Sequence, residues 1–378
     1  MKILFVLEYY PPHVGGGELL FERLARGLVA RGHDCSVLTC RLAGAPDREE
    51  AGGVRVRRVG PVGRGDRYAF TLAALPTARS LAREADVVHT MTYNGAFPAW
   101  AAARATGRPS VLTVHEVVGP RWPLAVENRA KAAVLARLEN LILALPFSAW
   151  AVNSQSALSD LAARGVPKSR IHFAYPGVDT DLFNPGAQDH RGRVRQELGI
   201  PESAFLVLYF GRPGAVKGVE TLIRAAPGVA RAVPNARMLL ILAQDPKTGR
   251  ARAEALAAVH PGLVRILDPV PRERLAQIVG AADCVAVPSI NEGFGFSLAE
   301  ACAVGVPVAA SDAGSIPEVV SGPHALARPN DPADLARAIA DVHQGRVSRA
   351  PAREFSWDAY VQSHEKLYAR LAGGKMGA

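Results

Sequence analysis

Phe205-Leu-Val-Leu-Tyr-Phe-Gly211-Arg212-Pro-Gly-Ala-Val-Lys217-Gly218 runs six apolar residues into a loop bearing glycines and two cations, and then into a stretch with helical periodicity that reaches Ala232. A short unbroken apolar run of this kind is how a strand reads when helices cover both faces of its sheet, as in parallel sheets. The loop would then leave the carboxyl end of a parallel strand, which is where open α/β sheets bind ligands.

The same alternation continues on both sides. Downstream, strands are expected at Met238–Leu242, Leu263–Leu267, Cys284–Val287 and Val306–Ala310, with helices such as Pro271–Ala281 and Pro332–Val342 between them. Upstream they are expected at Lys2–Leu7, Cys35–Thr39, Val54–Val59, Asp86–His89, Ser110–Val114, Ala149–Val152 and Ile171–Ala174. The helices on that side are Glu18–Arg31, Leu72–Arg83 and Ser156–Arg164. Strands and helices in strict alternation predict α/β units with parallel sheets. A length of 378 residues suits two of them. We expect two facing Rossmann-like domains, over 1–175 and 204–355, with a polar connection over 176–203.

Composition narrows the class. With 49% hydrophobic and 21% charged residues, the chain reads as a soluble globular protein. Its apolar start is too short for a signal peptide. The longest apolar run, Leu141–Val152, is interrupted by Pro146 and falls short of the ~20 residues that span a bilayer. A cytoplasmic protein is expected, at most peripheral on the inner face of the membrane. Cys35, Cys40, Cys284 and Cys302 form no CxxC pair and read as buried reduced thiols. The net charge of +9 comes without a basic stripe interleaved with aromatics, so no nucleic-acid partner is expected. An anionic substrate or an anionic membrane surface accounts for it equally well. Gly119-Pro-Arg121-Trp-Pro-Leu through Arg129, Lys131 and Arg137 mixes cations with apolar residues. It reads either as a peripheral membrane contact that admits a lipid-linked acceptor, or as an amphipathic helix packed on the sheet.

Several residues carry chemistry. Arg212 and Lys217 flank a loop at a helix start, where two cations can hold a diphosphate by charge-assisted hydrogen bonds. Only seven of the 44 basic residues are lysine, so a lysine at 217, a compact point charge suited to phosphate, stands out. Glu292-Gly-Phe-Gly-Phe-Ser-Leu-Ala-Glu300 follows the strand Cys284–Val287 and brackets a glycine-rich loop with two carboxylates able to accept from sugar hydroxyls. Its rival reading is a capping box, Ser297-Leu-Ala-Glu300, for the helix that Gly305 ends. Pro11-Pro-His-Val-Gly-Gly-Gly17-Glu18 follows the first strand and opens a helix, so its amides could meet an anion. It lacks the GxGxxG fingerprint. His115 and His89 are each placed at a strand's carboxyl end, facing the crevice. Tyr93, Asn94 and Glu116 stand close by in sequence as acceptor candidates. Asp179-Thr-Asp181 matches a short metal-binding pattern that arises easily by chance, and no metal site is expected.

Taken together these segments resemble the retaining glycosyltransferases of family 4, which have the GT-B fold. The resemblance spans nearly the whole chain. It rests on Pro-Pro-His-Val-Gly-Gly-Gly-Glu18, Pro176-Gly-Val-Asp179, Gly-Arg212-(x)4-Lys217-Gly and Pro288-Ser289 before Glu292-(x)7-Glu300. Gly305-Val-Pro-Val-Ala-Ala-Ser-Asp and Gly314-Ser-Ile-Pro-Glu-Val-Val complete it. It implies a hexosyl transfer from a nucleoside-diphosphate sugar, such as a UDP or GDP sugar, to a hydroxyl acceptor, with no metal and no cofactor. Arg212 and Lys217 would hold the diphosphate, Glu300 the ribose, and Glu292 with the amides of Gly293, Phe294, Gly295 and Phe296 the donor sugar, with Ser297 near the phosphates. Gly16 and Gly17 would close on the phosphates, and His115 would approach the sugar. Residues 356–371 would form a helix that crosses back to the first domain. Two departures stand out: Glu116 where the family often has aspartate, and Ala243-Gln244-Asp245-Pro246 in place of a glycine-rich turn. A nucleotide-sugar 2-epimerase and a catalytically silent GT-B subunit are the alternatives.

Overall fold

The computed structural model describes residues 1–63, 66–126, 128–243 and 249–374. Gln244, Asp245 and Pro246 of the unusual turn lie outside them. The chain divides into two compact α/β units. Unit 1 comprises Met1–Pro120, Ala133–Gly177 and Phe355–Ala378; unit 2 comprises Arg121–Ala132 and Val178–Glu354.

Unit 1 is built on the strands β1 (Lys2–Val6), β2 (Asp34–Cys40), β3 (Arg48–Ala51), β4 (Val54–Val59), β5 (Val87–Met91), β6 (Ser110–Val114), β7 (Ala149–Val152) and β8 (Ile171–Phe173). They lie in the order β3-β4-β2-β1-β5-β6-β7-β8, parallel except for the β3–β4 pair. Unit 2 holds β9 (Phe205–Gly211), β10 (Ala236–Leu242), β11 (Val264–Leu267), β12 (Cys284–Val287), β13 (Val308–Ser311), β14 (Gly322–Ala327) and β15 (Ser348–Ala350). Their order is β11-β10-β9-β12-β13-β14-β15, with only β14–β15 antiparallel. The central strands are apolar on both faces because helices cover both: every residue from Leu206 to Leu208 is fully buried.

In each sheet the strand order reverses once. The chain winds outward from β1 to β2 and then resumes on the other side at β5. In unit 2 it winds from β9 to β10 and β11 and resumes at β12. Each switch point opens a crevice within its own unit, at the carboxyl ends of β1/β5 in unit 1 and of β9/β12 in unit 2, because the connections on either side depart in opposite directions.

Three strands were not anticipated. β3 reads Arg-Glu-Glu-Ala, β14 contains Pro323 and His324, and β15 is three residues long. Two of them, β3 and β15, are sheet edges, where charge and brevity discourage pairing with other chains. The expected helix Leu72–Arg83 is two helices, Asp66–Ala73 and Leu75–Ala82, with Pro76 in the first turn of the second. Of the expected connection over 176–203, Pro176 and Gly177 belong to unit 1 and everything from Val178 on belongs to unit 2. Within it, the helix Arg191–Glu197 buries Arg195, whose guanidinium donates to the carbonyls of Ala281, Glu202 and Ala204 and to Asp283. The polar look of that segment conceals a cation satisfied from every side.

The helix Trp357–Ala372 packs in unit 1 against the helix Gly16–Ala30 and β5. Ser356 caps it by accepting from the Ala359 amide. Arg31 and His33 reach Glu365, His172 bonds Ser363, and Gly177 lies so close to Trp357 that a Cβ there would overlap it.

Candidate functional site

At the unit 2 switch point, the loops after β9 and β12 are tied together by the Ile290 amide, which donates to the Val216 carbonyl at 2.8 Å. Gly218 makes that approach possible. It has φ +67°, caps the helix Val219–Ala232, and any Cβ would run into the Pro288 carbonyl oxygen. Across this junction Lys217 Nζ donates to Glu292 Oε1 at 2.6 Å, and the Ser289 hydroxyl donates to Glu292 Oε2 at 2.8 Å. Both oxygens of a buried carboxylate are therefore engaged. Behind it, Gly314 at φ +54° would place a Cβ 2.8 Å from the Glu292 nitrogen, and the Ser315 amide donates to the Glu292 carbonyl at 3.0 Å.

Arg212 is exposed, and among the described residues its side chain makes no hydrogen bond or ion pair; its carbonyl is held by the buried Tyr209 hydroxyl at 2.8 Å. One cation is thus neutralised in place and a second stands open to solvent on the same loop. Both cations are chemically able to bind an anion by charge-assisted hydrogen bonds.

The helix Phe296–Val304 starts after Gly295, at φ +86°, with no side-chain cap. The Ser297–Glu300 capping box does not form, because Ser297 is already the second residue of the helix. Glu300 instead accepts from Arg272 at 2.8 Å, and the same guanidinium reaches Asp179 at 3.3 Å and lies 5.1 Å above the Phe183 ring. Burial pushes the Glu300 carboxyl up to about 7, against the pull of Arg272, with Asp179 pushing it the same way as burial. The ion pair with Arg272 also engages Asp179, the first residue of the short metal-like pattern. Arg272 was missed by sequence reasoning: it is one arginine among many, first in its helix, and nothing local marks its partners. Arg121 belongs to the segment with two readings, a membrane contact or an amphipathic helix packed on the sheet. In the structure it lies in unit 2, and its guanidinium donates to Asn291 Oδ1 at 3.1 Å, beside Glu292.

In unit 1, Gly16 and Gly17 open the helix Gly16–Ala30 at the end of the loop after β1. A Cβ at Gly17 would stand 3.0 Å from Met91 Cε and 3.4 Å from His115 Nε2, so bare backbone faces that imidazole. His115 directly follows β6, and Asn153 directly follows β7. Val114 pairs with Val152 across the two strands, which brings the next residues side by side, and Asn153 Nδ2 lies 2.8 Å from His115 Nδ1. At the β1/β5 switch point, Asn94 donates to Glu8 at 2.6 Å. Tyr93 and Glu116 are half-buried; burial raises the Tyr93 hydroxyl above its ordinary range.

His89 requires a correction. The strand runs on to Met91, so His89 lies inside it, paired in register with Phe5 and Val111. It is fully buried, with Nδ1 2.5 Å from the Tyr368 hydroxyl and Nε2 2.7 Å from Thr113 Oγ1. Both nitrogens are used internally, and no acceptor reaches it. Beside it His364 is buried with Nδ1 donating to the Tyr360 carbonyl at 3.0 Å, and His172 stacks edge-on at 5.3 Å from His364. Burial lowers all three: His172 to about 4, His364 to about 3, and His89 well below the ordinary histidine range.

Two family models match in tandem: Glycosyltransferase Family 4 over residues 14–182 and Glycosyl transferases group 1 over 190–356. The chain is 31% identical to a D-inositol 3-phosphate glycosyltransferase of Thermomonospora curvata, over 94% of this chain and 90% of the relative. It is 30% identical to one of Nocardia farcinica, over 96% and 87%. Among solved structures it is similar to a sucrose-phosphate synthase from Thermosynechococcus elongatus (TM-score 0.77, 22% identity, 99% of each chain). It is also similar to WaaG, a glycosyltransferase involved in lipopolysaccharide biosynthesis (TM-score 0.70, 18% identity, all of both chains).

Proposed function

The chain belongs to the family 4 glycosyltransferases, with a GT-B fold and an activity that uses nucleotide sugars. From that premise we propose that it transfers a hexosyl group to a hydroxyl acceptor with retention of anomeric configuration and without a metal ion. The observation that carries this reading is the Lys217–Glu292–Ser289 cluster at the unit 2 switch point, with Arg212 open beside it.

A transferred sugar leaves behind a nucleoside diphosphate that gains negative charge as the glycosidic bond lengthens. Donors fixed where that charge develops stabilise the transition state more than the ground state. Lys217 and Arg212 are the cations for that task, which is the role a divalent metal would otherwise fill. When Lys217 turns to phosphate, Glu292 is released to accept from sugar hydroxyls while Ser289 keeps it oriented. Glu300, on the first turns of the helix Phe296–Val304, accepts from the ribose, and the helix amino end favours phosphate. Unit 1's share rests on His115 and the backbone of Gly16 and Gly17. The relatives' names make D-inositol 3-phosphate the first acceptor to try.

Peripheral binding to an anionic membrane forms part of the proposal. Val134, Leu138 and Leu141 are exposed at helical spacing on Arg129–Leu143, with Lys131 and Arg137 exposed among them. No helix among the described residues is long and apolar enough to cross a membrane. Co-sedimentation with anionic vesicles at low salt tests this part alone, and its failure removes it.

The main test is a thermal-shift panel with UDP, GDP, ADP and their sugar conjugates, with and without EDTA, followed by nucleoside diphosphate release in the presence of hydroxyl acceptors. Stabilisation by one diphosphate that EDTA leaves unchanged is the expected result. The anomeric coupling constant of the product then reports retention. If no diphosphate stabilises folded protein, the transferase reading of these residues is wrong.

A further inference from the structure

The register of β6 and β7 sets Asn153 beside His115, and a third residue fixes which way the Asn153 amide points. Tyr360, on the helix Trp357–Ala372, is buried, and its hydroxyl lies 3.4 Å from Asn153 Oδ1. Asn153 is itself only 2% exposed. A buried phenol needs an acceptor for its proton, and among the described residues Asn153 Oδ1 is the one within its reach. With Oδ1 turned to Tyr360, the Asn153 NH2 faces His115 Nδ1 at 2.8 Å and can only donate to it. A neutral imidazole that accepts at Nδ1 carries its proton at Nε2. Nε2 is the nitrogen that faces Gly17, where a Cβ would stand 3.4 Å away.

We propose that Asn153 is a positioning residue: the relay Tyr360 to Asn153 to His115 locks His115 in the Nε2-protonated tautomer. His115 then presents a fixed hydrogen-bond donor to a substrate oxygen and has no lone pair with which to act as a base there. This rests on the transferase reading above, since it gives His115 a part in that reaction. It also links the C-terminal helix to a group at the sheet's carboxyl edge, because the relay begins on that helix.

The test reads the tautomer directly. Protein labelled with 15N-histidine is examined by long-range proton–nitrogen correlation near neutral pH, and His115 is assigned by the signals lost in His115→Gln. The wild type should show a bare Nδ1 and a protonated Nε2. Asn153→Asp offers only acceptors, so it should draw a proton onto Nδ1, and Tyr360→Phe should give a mixture of tautomers. A proton on Nδ1 in the wild type overturns the inference, and so does an unchanged pattern in Asn153→Asp. In turnover, Asn153→Asp should lower kcat at least about tenfold while the donor KM stays within about twofold, since the wrong tautomer spares binding. Its pH profile should also shift to higher pH. Asn153→Ser retains a hydroxyl donor and should recover part of the rate, whereas Asn153→Leu should not. Equal rates for the Ser and Leu variants count against the relay. Melting curves with nucleoside diphosphate confirm that each variant folds and binds. If the wild type binds no diphosphate, the functional reading falls while the tautomer result stands. If diphosphate binds and the proton sits on Nδ1, this inference falls alone.

Discussion

Lys217→Ala separates catalysis from stability more cleanly than any other change at the unit 2 crevice. Removing the ammonium leaves the buried Glu292 carboxylate, among the described residues, with the Ser289 hydroxyl as its remaining side-chain donor. Breaking a fully buried pair costs about 3–5 kcal/mol. The Lys217 side chain is 27% exposed, however, so water can take its place, and we expect a loss of about 1–2 kcal/mol. For a unit of this size that lowers the melting temperature by roughly 2–8 °C and leaves the protein folded at 25 °C. The catalytic loss is larger. Deleting one preorganised donor aimed at developing negative charge costs about 2.7–4 kcal/mol, or about 10²–10³ in kcat. Donor-dependent release of nucleoside diphosphate at saturating substrate, read beside a melting curve, measures both. Lys217→Arg keeps the charge but not the compact shape, and should fall between the two. A Lys217→Ala enzyme turning over within about threefold of wild type would refute the assignment, because under 1 kcal/mol is too little for a group that stabilises the leaving diphosphate.

The remaining expectations concern pH and backbone. His89, His172 and His364 are held neutral by burial, the charge of Arg370 also disfavouring protonation of His172, so the unfolded chain takes up protons near pH 6.5 that the folded one refuses. Stability is therefore complete above that pH and falls as pH drops toward about 4 and about 3, where His172 and His364 titrate in the fold, at about 1.4 kcal/mol per pH unit for each histidine. Melting temperatures that stay flat from pH 7 to pH 5 would contradict it. Glu300 has the opposite sign: raised to about 7, it favours folding fully below its unfolded pKa, and that contribution is lost as pH rises through 7. If its carboxylate binds the ribose, diphosphate binding at pH 6 releases a proton and tightens toward pH 8; calorimetric enthalpies at pH 6 that do not depend on the buffer would rule this out. Gly314→Ala forces a left-handed conformation and crowds the Glu292 nitrogen, so it should cost more than the ~1–2 kcal/mol of the conformation alone and lower kcat with it. A melting temperature equal to wild type would show that the loop behind Glu292 yields freely.

The central strands were legible because burial on both faces writes itself as unbroken apolar sequence, as in Phe205–Phe210 and Met238–Leu242. The antiparallel strands escaped for the converse reason. Arg48-Glu-Glu-Ala51 pairs by backbone alone at a solvated edge, and no apolar pattern records it. His89 was misplaced by two residues of strand: ending β5 at 89 sets the ring in the crevice, whereas a strand reaching Met91 holds it in the core. Lys217 and Glu292 stood out in the sequence because each follows a buried strand. Their direct contact depends on β9 and β12 being neighbours, which is a property of strand order. Arg272, Asp179 and Asn153 owe their positions to contacts between distant segments, and no spacing in the chain announces such contacts.

The helix Trp357–Ala372 closes unit 1 by supplying Tyr360, His364 and Tyr368 to the core around His89. In chain order it comes after all of β9 to β15. During synthesis the first unit to begin is thus the last to be finished. Its core stays open on one side while the whole of the second sheet is made, and the ribosome must release those aromatic residues before it can seal. A nascent chain halted between Glu354 and Tyr360 would carry a complete unit 2 together with a unit 1 whose apolar interior still lacks Tyr360, His364 and Tyr368.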